Sequence, residues 1–314
     1  MKHTQTKQRQ NILIIGAGEL GMAMIKAFVA SRKTPPDIRL SVLLRPAAHH
    51  NSQPAYLQRD KQLAEWGIEV VTADLSRDDQ SSLAQLFKPF NAVINCSGFA
   101  GGAGTQLKIS QAVISAGIER YFPWQFGVDY DRIGMGSGQP VWDEQLQVRH
   151  LLRQQSATAW VIISTGMFIS FLFEPDFGVI EIENQKLFAL GAADYALTLT
   201  TAEDIGRLTA DVFFYQPAVQ NDIIYTAGDT VTYSQLAQLL SEHFCRPFTL
   251  EVRSRAQLQQ RLFLQGDVAS AYQLAFARQS GIAWPKSQSW NARRGIEVTD
   301  VKRWLQENRS LTPA

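Results

Sequence analysis

The chain has 314 residues, of which 45% are hydrophobic, and a formal net charge of +1. That length and apolar share suit an α/β core with a subsidiary lobe, and the near-neutral balance gives no case for nucleic-acid binding. Two cysteines, Cys96 and Cys245, exclude a disulfide scaffold, and no histidine pair has the spacing of a helical zinc motif.

The polar opening segment 1–10 lacks the apolar centre of a signal peptide, and no apolar run reaches membrane-spanning length. No membrane insertion is therefore expected, and a reducing cytoplasm is the expected location. The first predicted element is the strand Asn11–Ile15, which runs into Gly16-Ala-Gly-Glu-Leu-Gly21 and then a helix through Phe28. This is the strand, turn and helix of a dinucleotide-binding unit. Gly16 permits the tight turn, Gly18 lets the backbone approach a pyrophosphate, and Gly21 lets helix and strand pack. Glu19 and Leu20 complete the phosphate-binding turn, where a helix N-terminus favours anions.

The second strand, Ile38–Leu44, ends at Arg45. An NAD site usually places an acid there to bind the ribose 2′-hydroxyl, whereas a guanidinium binds a 2′-phosphate by charge-assisted hydrogen bonds. NADP(H) is therefore expected to be preferred over NAD(H). His49 and His50 either line the same pocket or belong to a solvated loop.

A helix over 53–66, a strand over 67–72 and a helix from Ser82 to Phe87 follow. Asp74, after the third strand, either caps the next helix or bonds near the adenine. The fourth strand, 91–96, ends in a core cysteine and a loop with Ser97 and Gly98. Gly98, Gly101 and Gly102 serve either close approach to a ligand or a turn. A helix over 103–116, a strand over 118–122, a helix over 141–155 and a strand over 159–165 continue the alternation. The pattern predicts a Rossmann-like α/β fold, a parallel sheet with helices on both faces.

Beyond Gly166, short strands are predicted at 186–190, 196–200 and 222–226, and a helix over 202–214 capped by Thr201. A helix over 233–244, a strand over 249–254, helices near 256–264 and 267–280 and a terminal helix over 299–308 complete the chain, with 281–295 irregular. Residues 1–165, completed by 196–231, are expected to form the nucleotide-binding core. Residues 166–195 and 232–314 are expected to form a smaller C-terminal substrate lobe.

The fifth strand delivers Arg120-Tyr-Phe-Pro-Trp-Gln-Phe-Gly-Val-Asp-Tyr-Asp-Arg132 to the ligand-binding edge. Trp124 and Phe126 offer an apolar wall, and Gln125 offers a donor and an acceptor toward the nicotinamide. The alternative is a packed interlobe loop with Asp129 and Arg132 as its ion pair. None of the eight tyrosines has a lysine four residues later, which argues against the Tyr–Lys acid–base pair of short-chain dehydrogenases.

These stretches resemble the NmrA-like and isoflavone-reductase-like branch of the atypical short-chain dehydrogenase/reductase superfamily. The resemblance rests on the glycine turn, Arg45-Pro46, the segment Arg120–Asp129, Trp142–Arg149 and Thr165-Gly-Met-Phe168. Two departures stand out. The branch commonly has GxxGxxG, whereas Ile15 occupies its first glycine place. Its reductases commonly carry a catalytic lysine in Lys-x-Lys-Val-Arg, and here Gln145 stands at that lysine. Glutamine can orient a carbonyl but cannot act as an effective acid or base.

The resemblance implies an NADPH-dependent reductase of a small aromatic or conjugated carbonyl-like substrate. Trp124, Phe126, Met167 and Phe168 would contact the substrate, Gln145 would orient it, and Tyr130 would donate a proton, with Asp143 and Glu144 as further candidates. The alternative is a non-catalytic NAD(P)-responsive regulatory protein with a protein partner. The sequence leaves monomer and homodimer equally open.

Overall fold

The computed structural model describes residues 10–31, 38–46 and 53–308. Six strands build most of the main sheet: β1 (Gln10–Ile15), β2 (Ile38–Leu44), β3 (Glu69–Thr72), β4 (Ala92–Asn95), β5 (Arg120–Phe122) and β6 (Ala159–Ser164). Smaller strands follow: β7 (Met167–Phe168), β8 (Ile180–Glu181), β9 (Lys186–Leu190) and β10 (Ala196–Thr200). The last three are β11 (Asp222–Tyr225), β12 (Asp229–Thr232) and β13 (Thr249–Arg253).

The main sheet has the order β11-β6-β5-β4-β1-β2-β3, and its β-α-β pairs run parallel. Burial follows position in that order. Ile12, Leu13, Ile14 and Ile15 of central β1 are all buried, because helices cover both faces. Edge strand β3 is partly exposed at every residue. The chain leaves β1 toward β2 on one side and reaches β4 on the other. This reversal opens a crevice at the carboxyl ends of β1 and β4.

The first helix, Glu19–Ser31, turns Leu20, Met24, Ile25 and Phe28 inward at helical spacing. Phe28 meets Phe213 edge-on at 5.2 Å. Gly206 lets the helix Ala202–Phe214 come close, since a Cβ there would lie 2.7 Å from the Ala23 carbonyl oxygen. Arg120 anchors the far end of that helix by donating to the Phe213 and Val219 carbonyls at 2.6 and 3.2 Å. Its guanidinium lies 4.6 Å from the Phe213 ring centre, and burial pushes its pKa down to about 10. The first residue of the Arg120–Asp129 motif is thus a structural clamp.

The chain divides into two compact units. The first holds residues 1–125, 147–162 and 205–223, and the second holds 126–146, 163–204 and 224–314. Of the expected core, 1–165 with 196–231, this division gathers 126–146, 163–165, 196–204 and 224–231 with the second unit. Two three-stranded sheets, β12-β10-β7 and β13-β9-β8, belong to that unit. Leu190, Leu199, Tyr233, Leu236, Phe276 and Ile282 lie in its apolar core. Thr232 and Gln235 form a reciprocal capping box at the start of the helix Tyr233–Phe244.

Strands β7, β8 and β12 were not foreseen; each has only two or four residues, too short for periodicity to register. The predicted irregular stretch 281–295 holds a 3₁₀ turn, Lys286–Gln288, and a short helix, Trp290–Arg293. The Asn291 side chain fastens it like a strand neighbour, exchanging bonds with the Ala227 carbonyl and N–H at 2.9 and 3.1 Å. Among the described residues, no helix is long and apolar enough to cross a membrane.

Candidate functional site: a glycine-turn cavity

A cavity of about 490 Å³ opens at the carboxyl ends of β1, β2 and β4. Gly16, Ala17 and Gly18 form one wall, while Leu44 and Arg45 bring the end of β2 to another. Gly16 has φ +93°, and a Cβ there would lie 3.0 Å from the Cys96 carbonyl oxygen, so the turn and the β4 exit require glycine. A Cβ at Gly21 would overlap the Gly16 carbonyl oxygen, which fixes how closely the helix follows the turn. Gly18 differs, because a Cβ there meets no heavy atom within 4 Å. Internal packing does not demand this glycine. Gly18 lines the cavity, and open backbone at that place fits the approach of a dinucleotide's pyrophosphate.

Ser97 lines the cavity beside Cys96 and Ala100. A buried amide pair shapes this loop. Asn95 donates to Gln106 Oε1 at 2.8 Å, and Gln106 Nε2 donates to the Gly98 carbonyl at 2.7 Å and to Ser97 Oγ at 3.2 Å. Asn95 also accepts from the Ser97 N–H at 3.0 Å. Burial pushes the Cys96 thiol far up, in keeping with its expected place as a core thiol.

Asp74 does not cap the following helix. Its carboxylate closes a turn on the Ser76 N–H and hydroxyl, and Asp79 caps the helix Gln80–Phe87 by accepting from Ser82 N–H at 2.7 Å. Asp74 lies too far ahead of the first helical turn to reach its N–H groups. Those Ser76 bonds hold its carboxyl below the usual range, and the nearby guanidiniums of Arg45 and Arg77 add to the effect. Ala73 and Leu75, on either side of it, line the cavity. Glu19 is exposed in the first helical turn, whereas the Leu20 side chain is buried. His49 and His50 lie outside the described residues.

Among the residues that line the cavity, Tyr56 and Arg59 carry polar groups that the sequence alone did not single out. Tyr56 and Arg59, on the helix Pro54–Glu65, stand on the wall with Arg45. A signal was present, since Tyr56, Arg59 and Leu63 share one helical stripe.

Gln125 is buried, and its Oε1 accepts from Arg149 Nε at 2.9 Å. Arg149 is 0% exposed and sits on the helix Pro140–Arg153, four residues after Gln145. Trp124 is half-buried and meets the exposed Phe99 ring edge-on at 5.2 Å. These residues belong to the first unit, apart from Gln145.

The other proposed site residues lie in the second unit. Phe126 and Met167 are buried there, and Phe168 is half-buried. Tyr130 is 6% exposed and packs edge-on against Trp142 at 6.1 Å, within the apolar core. Gln145 is 1% exposed. Asp129 and Arg132 do form an ion pair, at 3.6 Å, and Asp129 also accepts from the Tyr225 hydroxyl at 2.8 Å. The Asp129 N–H donates to the Gly281 carbonyl, so this segment ties the loop to its own unit.

Known proteins share this architecture. The structure of AtPrR2 with NADP+ and (+)pinoresinol superposes with a TM-score of 0.76 at 18% identity, over 96% of this chain and 99% of that one. Phenylcoumaran benzylic ether reductase 1 of Arabidopsis thaliana is 26% identical over 73% of this chain and 72% of its own length. An "NmrA-like family domain-containing oxidoreductase" of Gibberella moniliformis is 40% identical, over 95% of this chain and 97% of its own length. The model of the NmrA-like family matches residues 8–281. With its glycine-turn cavity, its strand order and these matches, the chain belongs to the NmrA-like family.

Proposed function

We propose that the protein is an NADPH-dependent reductase of a small aromatic or conjugated carbonyl-like substrate. The observation that carries this reading is the cavity itself, where an open glycine cradle and Arg45 share one enclosure. The named relatives support the same reading, since they include an oxidoreductase, a benzylic ether reductase and a structure holding NADP+ with pinoresinol. NADPH, when bound, supplies the hydride. Gly16 and Gly18 hold the pyrophosphate by backbone approach, Arg45 binds the 2′-phosphate, and Ser97 and Gly98 border the dinucleotide. Asp74 acts by bracing the turn between Ala73 and Leu75 rather than by offering an uncommitted carboxylate. Gln125, engaged by Arg149, stabilises the strand exit toward the nicotinamide.

Calorimetric titration tests the cofactor assignment. NADPH is expected to bind more tightly than NADH, and Arg45→Ala is expected to remove most of the difference, at least about tenfold in affinity. Equal affinities in the unmutated protein would overturn the NADP(H) preference.

Substrate contact is assigned to Trp124, Phe126, Met167 and Phe168. Gln145 is proposed to orient a substrate carbonyl, since its amide cannot supply the proton chemistry of a lysine. Tyr130 is the proposed proton donor, although its core packing equally serves the fold; Tyr130→Phe tests the hydroxyl alone. Gln145→Ala is expected to lower turnover about tenfold without removing a pH-dependent limb of the rate profile. An unchanged rate and affinity in the folded variant would remove Gln145 from the site.

A nucleotide-responsive regulatory protein is the second reading, favoured by glutamine at the lysine place. Tight NADPH binding without oxidation across a panel of aromatic carbonyls and alkenes, together with cofactor-dependent capture of a partner, would select it.

A further inference from the structure

A second cavity, of about 180 Å³, opens within the second unit and shares no lining residue with the glycine-turn cavity. Asp129, Arg132, Tyr225, Trp284, Pro285 and Gln288 border it. Its aromatic wall is fixed by hydrogen bonds. Trp284 donates from its indole N–H to the Thr226 carbonyl at 3.0 Å and from its backbone N–H to Thr198 Oγ1 at 3.0 Å. Its carbonyl accepts from Thr230 Oγ1 at 2.9 Å. The Tyr225 ring meets the indole edge-on at 5.0 Å, and both residues stay half-buried. Gly281 brings the chain close to the turn that carries Arg132, since its φ is +87° and a Cβ there would lie 2.7 Å from Ile133. The two charges of the cavity differ in exposure. Asp129 is 4% exposed, accepts from the Tyr225 hydroxyl at 2.8 Å and caps the turn Tyr130–Ile133 by accepting from the Arg132 N–H. The Arg132 side chain is 71% exposed, and its Nε stands 3.6 Å from Asp129, beyond the length of a charge-assisted hydrogen bond.

We infer that this cavity is a second small-molecule site, one that takes a single-ring aromatic carboxylate between Arg132 and Trp284, independently of the dinucleotide reading. Its volume falls below the roughly 300 Å³ at which sites for drug-sized ligands begin, so it suits one ring and its substituent. The ring packs on the indole and phenol, whose positions are fixed without it, and little side-chain entropy is lost on binding. The ligand carboxylate takes the two terminal nitrogens of Arg132. A guanidinium offers five N–H donors in a rigid fork, so its Nε can face Asp129 while its end binds a second carboxylate. The Gln288 amide supplies a further donor at the same cavity. Asp129 selects among charges. Its carboxylate opposes a phosphate dianion more strongly than a monoanion. It offers little to a cationic ligand, because Tyr225, Arg132 and the capped turn already answer its charge.

The test uses benzoate and its neutral counterpart benzamide as probes, titrated into the full chain and followed by ligand-detected NMR. The unmutated protein, Arg132→Gln and Ala283→Leu are compared, with thermal unfolding of each. Arg132 is exposed, so its replacement by glutamine removes the charge without opening the core. Ala283 lines the cavity, and leucine there fills it without touching the charges. Benzoate is expected to bind with a Kd of about 1 mM or tighter, and at least about tenfold better than benzamide. Arg132→Gln is expected to weaken benzoate about tenfold while leaving benzamide within about twofold. Ala283→Leu is expected to weaken both probes. Benzoate affinity unchanged in Arg132→Gln, or in folded Ala283→Leu, would place the probe elsewhere on the protein and overturn the inference. Equal affinity of the unmutated protein for the two probes, or no benzoate binding at about 10 mM, would overturn it as well. Each of these results leaves the dinucleotide reading standing, because Arg45 and the glycine turn take no part in the cavity.

Discussion

Gly18→Val is expected to abolish binding of NADPH and NADH together while the protein stays folded. A side chain at position 18 meets no protein atom within 4 Å, so the fold has room for it. Gly18 also lines the glycine-turn cavity, the proposed cradle for a pyrophosphate. Affinity for either cofactor should fall more than roughly hundredfold, equivalent to about 2.7 kcal/mol. Stability should change by no more than about 0.5 kcal/mol, as for substitutions that disturb no packing. Gly21→Ala provides the contrast, because its methyl group would overlap the Gly16 carbonyl oxygen and strain the turn. Fluorescence titration of NADPH, read beside urea unfolding, separates the two. Normal NADPH affinity in folded Gly18→Val would remove the dinucleotide from this cavity.

Arg149→Ala is expected to cost about 3–5 kcal/mol of folding stability. Arg149 is among the largest side chains fully withdrawn from solvent, and its Nε bonds the buried amide of Gln125. Truncation to alanine leaves a void and deprives Gln125 of its donor. Arg149→Met fills the volume without the charge and should recover part of the loss, because apolar replacements of buried ions are often tolerated. Chemical denaturation of the three proteins gives the ordering. Equal stability of Arg149→Ala and the unmutated protein would show that the arginine carries no structural weight.

The alternation of apolar runs with helical stretches revealed the first unit, because its central strands are buried on both faces and read as continuous runs. The glycine turn was equally plain, since Gly16 and Gly21 answer steric demands that leave a sequence mark. Short strands such as β7 were hidden because two residues carry no period. The stripe of Tyr56, Arg59 and Leu63 was legible by its spacing, but its polar members look like a solvated face until Tyr56 and Asp60 are seen beside Arg59. Asn95 and Gln106 sit eleven residues apart and form one buried network only after the loop folds back. Asp74 was misassigned as a possible helix cap because Asp79, five residues on, carries the same side chain closer to the first turn. Gln145 remains a comparison with the family's lysine place, and its burial narrows how it can meet a substrate.

The interleaving of the two units sets a timetable for synthesis. The chain contributes the first five strands of the main sheet before Gln125, but β6 and then β11 arrive only after segments of the other unit have been made. At about 5–20 residues per second, the ribosome needs on the order of ten seconds or more between completing β1 and completing β11. Within that interval the β5 edge waits for β6 and the β6 edge then waits for β11, each an open row of backbone donors and acceptors prone to pair with other chains. The same interleaving that lets one polypeptide build both units thus prolongs the time for which a sheet edge stays unpaired during synthesis.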